Sequence, residues 1–132
     1  MLGKFCRVLQ NLPNVRQIDG THRLYTLFHR ISLRDTLRLT KRKKGIRLVC
    51  SHPQVPLKDN LIVRAYTSLK EEHRSLGGVS VRLTKRIPVG GGLGGGSSNA
   101  ASFLIGINRL YRLGLTKKEL FTLGRKLGAD VP

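Results

Sequence analysis

The 132-residue sequence predicts an α+β domain, with mixed strands packed by three helices. Three observations lead there. Apolar and polar residues alternate over residues 23–39 and again at Val79, Val81 and Leu83, as expected of strands with one buried face. Helical spacing then links Leu61, Ile62, Ala65, Tyr66 and Leu69, and later Ala100, Ala101, Leu104, Ile105 and Leu110. Between the last strand and the second helix, residues 88–98 are too rich in glycine to be a regular element.

Each element has its own signal. Residues 1–22 give a short apolar stretch, then a polar loop marked by Pro13, Asn14, Asp19 and Gly20. Leu24, Thr26, Phe28 and Arg30, then Ile31, Leu33, Asp35, Leu37 and Leu39, alternate as strands with one buried face. Lys41-Arg42-Lys43-Lys44-Gly45 is a basic turn, and Ile46–Cys50 is a strand ended by His52-Pro53 and Pro56. Asp59 is the expected cap of a helix over 60–72. Gly77-Gly78 breaks the chain before the Val79–Leu83 strand. A second helix is expected over 97–112, and Thr116-Lys117-Lys118-Glu119 has capping-box form for a third over 116–127.

Charge narrows the partners. With 25 Lys+Arg against 7 Asp+Glu, the formal charge is +18, which favours polyanions. Nucleic acid is not the expected partner. The basic residues are spread along the chain, three Tyr and four Phe leave little for base stacking, and no known nucleic-acid motif matches. No apolar run of about 18 residues exists, so no membrane partner is expected. Met1–Arg7 lacks a signal-peptide core, and Cys6 and Cys50 form neither a disulfide framework nor a metal pattern. A reducing, cytoplasmic setting without a metal site follows as the expectation; the oligomeric state is left open.

The strongest functional signal is strand, Gly-Ser loop, helix. Glycines allow positive φ and close approach to a ligand. Their amides, with the free N–H groups and positive dipole end of the next helix, can hold phosphate. The alternative is a flexible linker with a Ser cap. The P-loop pattern fails, because no Lys follows these glycines. The dinucleotide fingerprint is met only trivially, and its acidic partner is missing from the expected place.

Pro88-Val89-Gly90-Gly91-Gly92-Leu93-Gly94-Gly95-Gly96-Ser97-Ser98-Asn99-Ala100-Ala101 resembles the ATP-binding motif of the GHMP kinases. Lys85-Arg86-Ile87-Pro88, Asp59–Ala65, Leu127–Pro132, and Asp19-Gly20-Thr21-His22 with Thr26-Leu27-Phe28 follow the order and spacing of one branch. That branch acts on a cytidine-diphosphate-linked methylerythritol. The resemblance implies a GHMP-kinase N-terminal domain over 1–132, incomplete, with the C-terminal GHMP domain absent. It implies phosphoryl transfer from ATP with Mg²⁺ to the 2-hydroxyl of that small molecule, in isoprenoid precursor synthesis.

Roles follow by position. Residues 88–98 match the loop around the phosphates, with Ser97 and Ser98 near the β/γ end and the metal. Asp130 matches the carboxylate that accepts the substrate proton; otherwise it reads as a turn residue. Lys85 and Asn60 match positions near the nucleotide, against a solvated strand Lys and a helix-capping Asn. His22 matches the residue that approaches cytosine.

Departures accompany the match. The family's first strand carries a second catalytic Lys within Pro-Ala-Lys-x-Asn-Leu. Here Lys4 is followed by Phe5 and Cys6, and an ungapped count back from His22 reaches Cys6. Thr21 replaces an aromatic residue that stacks on cytosine, a contact worth roughly 1–3 kcal/mol. Family members also run well past the Leu127–Pro132 block. A truncated product, an open sheet edge and little turnover by this polypeptide alone are therefore expected. Two other readings stand beside the kinase: a basic nucleic-acid-binding protein and an inactive kinase remnant.

Overall fold

The computed structural model describes residues 3–8, 26–56 and 58–131. Eight elements follow in order: β1 (Gly3–Val8), β2 (Thr26–Ile31), β3 (Thr36–Arg42), β4 (Ile46–Cys50), α1 (Leu61–Glu72), β5 (Gly78–Thr84), α2 (Gly95–Tyr111) and α3 (Lys117–Leu127). β1 and β2 form an antiparallel ribbon, with Lys4 opposite Arg30 and Cys6 opposite Phe28. The other three strands form a sheet in the order β3-β5-β4. This is the mixed α/β architecture expected.

β5 lies between two strands that are neighbours in sequence. It runs antiparallel to β3 and parallel to β4. The parallel pair is joined through α1, since parallel strands need a long crossover. The β3–β4 connection must then pass over the start of β5. The Val79 amide donates to the Gly45 carbonyl at 2.9 Å. A Cβ on Gly78 would stand 2.4 Å from the Lys44 backbone carbon. Only glycine permits that crossing.

Alternation sorts the sheet into two faces. Leu37 and Leu39 of β3, Ile46, Leu48 and Cys50 of β4, and Val79, Val81 and Leu83 of β5 point toward the helices. They meet Ile62, Ala65 and Leu69 from α1 and Phe103, Leu104 and Ile107 from α2. α3 adds Leu123 and Leu127, and buried Val131 closes that side. The Gly77-Gly78 break is held from both helices: the Tyr66 hydroxyl donates to Gly77 O at 3.1 Å and the Tyr111 hydroxyl to Gly78 O.

Several boundaries differ from the expected ones. The strands expected over 23–39 are β2 and β3, separated at residues 32–35. Lys41 and Arg42 extend β3, so the turn is residues 43–45 with Gly45 at φ +66°. Asn60, not Asp59, caps α1: it has extended φ/ψ and its Oδ1 accepts the Ile62 amide at 3.0 Å. The expected capping box on α3 is present, with Thr116 accepting the Glu119 amide and Glu119 accepting the Thr116 amide. α2 begins two residues early, at Gly95, because Gly94 takes φ +64° and turns the glycine run directly into helix.

Candidate active site

The loop after β5 and the start of α2 wall a cleft of about 360 Å³. Residues 88–97 line it, and the opposite wall comes from the α1 cap, with Pro56, Asp59 and Asn60. Lys85 and Asn99 form part of the lining. Thus Asn60, Lys85 and most of the glycine loop, far apart in sequence, converge on one space.

Local chemistry explains the loop's shape. Gly90, Gly92 and Gly94 all have φ between +64° and +76°, a region closed to most side chains. Gly94 caps α2 with no side-chain hydrogen bond. The first intrahelical bond is Ser98 N–H to Gly94 O, 2.9 Å. Helix geometry therefore leaves the Gly95, Gly96 and Ser97 amides without partners inside the helix. They sit at the positive end of a 17-residue helix. Ser98 lies outside the lining; its carbonyl accepts the Ser102 hydroxyl at 2.7 Å.

Asp35 anchors the loop at both ends, a role that the sequence reading did not assign. Its Oδ1 accepts the amides of Arg86 at 2.7 Å and Ile87 at 2.9 Å. Its Oδ2 accepts from Lys85 Nζ at 2.5 Å and Asn99 Nδ2 at 2.9 Å. The Asp35 side chain is 2% exposed and the Lys85 side chain 6%. Burial pushes the carboxyl's pKa up, but Lys85, the two amides and Asn99 outweigh it and hold it below the ordinary value. The only sequence signal was an acid among Leu, Arg and Thr.

Lys85 is consequently not a solvated strand lysine. Its charge is met by Asp35, and its ammonium nitrogen is 3.0 Å from where a Gly95 Cβ would stand. Asn60 both caps α1 and lines the cleft; its Nδ2 donates to Pro56 O at 3.3 Å. Asp130 is not brought into the cleft. It is exposed in a turn after α3, closed by Val131 N–H to Gly128 O at 3.2 Å. Val131 there shares a hollow with Ala101, Leu104, Ile105, Asn108 and Arg109, along the middle and C-terminal half of α2. His22 lies outside the described residues, as do Asp19, Gly20 and Thr21.

Among the described residues, the lining's only charged side chains are Asp59 and the neutralised Lys85. Attraction for an anion would thus come from main-chain amides and the helix end rather than a lysine. Among the described residues no group of three or more His, Cys, Asp or Glu could hold a metal. The side-chain oxygens that line the cleft are those of Asp59, Asn60, Ser97 and Asn99, few enough that a Mg²⁺ held there would take most of its oxygens from a ligand's phosphates and water. Ser97 would supply the nearest hydroxyl. Among the described residues no helix is long and apolar enough to cross a membrane.

Fold and site together define an α/β domain whose glycine-rich loop and helix N-terminus face a cleft. The family model described as "GHMP kinases N terminal domain" matches residues 60–132. The chain belongs to the GHMP kinase family. It is similar to a 4-diphosphocytidyl-2-C-methyl-D-erythritol kinase of Marinobacter nauticus, at 48% identity over 120 residues, covering 89% of this chain and 42% of the relative. The Pseudomonas aeruginosa protein of the same name is 47% identical over 118 residues, covering 89% and 42%. A crystal structure of 4-(cytidine 5'-diphospho)-2C-methyl-D-erythritol kinase superposes with a TM-score of 0.74 at 40% identity, over 98% of this chain and 43% of that one. A homoserine kinase from Cytophaga hutchinsonii, TM-score 0.59 and 24% identical over 70% of this chain and 31% of that one, shares the fold. The chain spans about two fifths of the length of the curated relatives it matches.

Proposed function

We propose that the cleft binds ATP with Mg²⁺ and forms the nucleotide side of a kinase acting on 4-diphosphocytidyl-2-C-methyl-D-erythritol. That compound gives the relatives at 47–48% identity their name. The 2-hydroxyl is the acceptor in this reading, the product serves isoprenoid precursor synthesis, and the enzyme works in the cytoplasm. The carrying observation is the convergence of the Gly95, Gly96 and Ser97 amides with Asn60 and Lys85 on one cleft.

In this reading residues 88–97 hold the phosphates through the main chain. Ser97, with Ser98 beside it, meets the β/γ end. Bound Mg²⁺ would supply neutralisation of the charge on the transferred phosphoryl group. Asn60, fixed by its capping bond, borders the nucleotide. Lys85 shapes the loop under Gly95 rather than contributing a free charge. Asp130 accepts the hydroxyl proton as the hydroxyl oxygen attacks the γ-phosphorus, whose bond to the β–γ bridging oxygen breaks so that ADP leaves. Its exposure leaves the carboxylate open to a substrate, and neither ion pair among the described residues involves it. His22 contacts the cytosine.

Isothermal titration of the full chain with Mg-ATP tests the first half. Saturable binding is expected, weakened at least tenfold in Gly95→Val, whose branched side chain meets Lys85 Nζ and Ile87 Cγ2 at 3.0–3.1 Å already at Cβ. Absence of binding, or binding indifferent to that change, overturns the reading. Asp130→Asn should leave Mg-ATP affinity unchanged while removing any phosphate transfer to the cytidyl substrate.

A further inference from the structure

The sequence spreads its basic residues along the chain, but strand register gathers four of them onto one surface. On the sheet face turned away from the helices, Arg38 stands directly opposite Arg82, and Arg82 neighbours Val49. The next row is Thr40, Ser80 and Arg47, and Arg42 stands opposite Gly78. The four arginines are exposed. Neither α1, α2, α3 nor the β1–β2 ribbon covers this face. The helices pack on the opposite side, and the ribbon makes no contact with these strands.

Among the described residues nothing neutralises it. The three strands contain no Asp or Glu. The ion pairs among the described residues are Lys85–Asp35 and Lys126–Glu72, both elsewhere. Like charges directly opposite on neighbouring strands are destabilising, so the Arg38–Arg82 pair favours an anion between its guanidinium groups. Residues 1–25 bring it no negative charge overall, since Lys4, Arg7, Arg16 and Arg23 outnumber Asp19. A second copy is no better, because each chain carries +18.

We infer that this face docks the phosphate backbone of a nucleic-acid duplex. Guanidinium forks match phosphate oxygens in pairs, and the hydroxyls of Thr36, Thr40 and Thr84 can donate to the same oxygens. The face has no aromatic residue to stack on the bases of a single strand. Val49, 45% exposed, is too small an apolar anchor for a lipid interface, where Trp, Phe and Leu do that work. The docking is independent of the nucleotide cleft and indifferent to base sequence.

The test is fluorescence anisotropy of the full chain on a labelled duplex of about 20 base pairs, run at about 50 and 200 mM salt. Arg38→Gln/Arg47→Gln/Arg82→Gln should weaken binding at least tenfold at low salt. The log–log salt slope should fall by about 3, near 0.9 per lost phosphate contact. Lys117→Gln/Lys118→Gln, a basic pair on the first turn of α3, should change affinity less than threefold. Both variants should bind Mg-ATP as the parent does and melt no lower than it, since all the altered residues are exposed. Equal weakening by the two variants would show diffuse charge only and overturn the assignment. So would absence of duplex binding, tighter binding to a single strand of equal length, or preference for phosphatidylserine vesicles.

Discussion

Asp35 illustrates how one side chain can set a site it does not line. Four donors converge on it from the end of β5, the start of the loop and the first turns of α2. Removing it leaves the Lys85 ammonium buried without a partner, a change that costs about 3–5 kcal/mol. That is a large share of the 5–15 kcal/mol typical of a whole domain. Asp35→Ala should therefore unfold at much lower urea. Asp35→Asn, which keeps an acceptor for the Arg86 and Ile87 amides, should fall between, and Asp35→Asn with Lys85→Met should recover part of the loss. The pH dependence follows from the lowered pKa. The folded state keeps the carboxylate ionised at pH values where the unfolded chain takes up a proton. The contribution is full above about pH 4 and is lost as pH falls through the folded value. Parent and Asp35→Asn stabilities should converge in acid; a constant gap from pH 7 to pH 3 would refute the assignment.

At the level of elements, periodicity was a good guide and connectivity was not. The apolar rows of α1 and α2 are legible in the sequence, as is the Thr116–Glu119 box that starts α3, because each is a local pattern. The insertion of β5 between β3 and β4 is not, since it rests on contacts between residues more than thirty positions apart. Gly95 and Gly96 read as loop because glycine disfavours helix, yet the turn at Gly94 recruits them into the first turn of α2. Asp35 stayed hidden for a similar reason: nothing in the alternation of residues 31–39 distinguishes a buried acid with distant donors from a solvated one. The crossing at Gly78 offers a test of the topology. A methyl there would meet the Lys44 backbone at 2.4 Å and the Gly45 carbonyl at 2.7 Å. Main chain held by the Val79–Gly45 bond cannot step aside cheaply, so Gly78→Ala should cost roughly 1–3 kcal/mol. Gly114→Asn, at a left-handed turn with open space around it, should cost less. Equal urea midpoints for parent and Gly78→Ala would count against the β3-β5-β4 order.

Charge is the property of the whole molecule that the fold leaves unbalanced. The net +18 repels itself in the folded state, where the charges are brought close, more than in the expanded chain. Screening should then stabilise the fold. At 0.01 M salt the Debye length is about 30 Å, exceeding the roughly 14 Å radius of gyration expected for a chain of this size, and at 0.15 M it is about 8 Å. Repulsion thus acts across the entire domain in the first case and only between neighbours in the second. The opposing effect is small. The exposed Lys126–Glu72 pair contributes at most about 1 kcal/mol, and the buried Lys85–Asp35 pair is poorly screened. The melting temperature should rise by several degrees between these two concentrations of sodium chloride. For a domain of this size each kcal/mol is worth roughly 3–6 °C. Sulfate at equal ionic strength should raise it further, because a divalent anion can sit between Arg38 and Arg82. Arg38→Gln/Arg82→Gln should melt higher than the parent in low salt and lose the extra response to sulfate. A parent melting temperature that is flat or falling with salt would mean that the arginines of the open face are not the source of the strain.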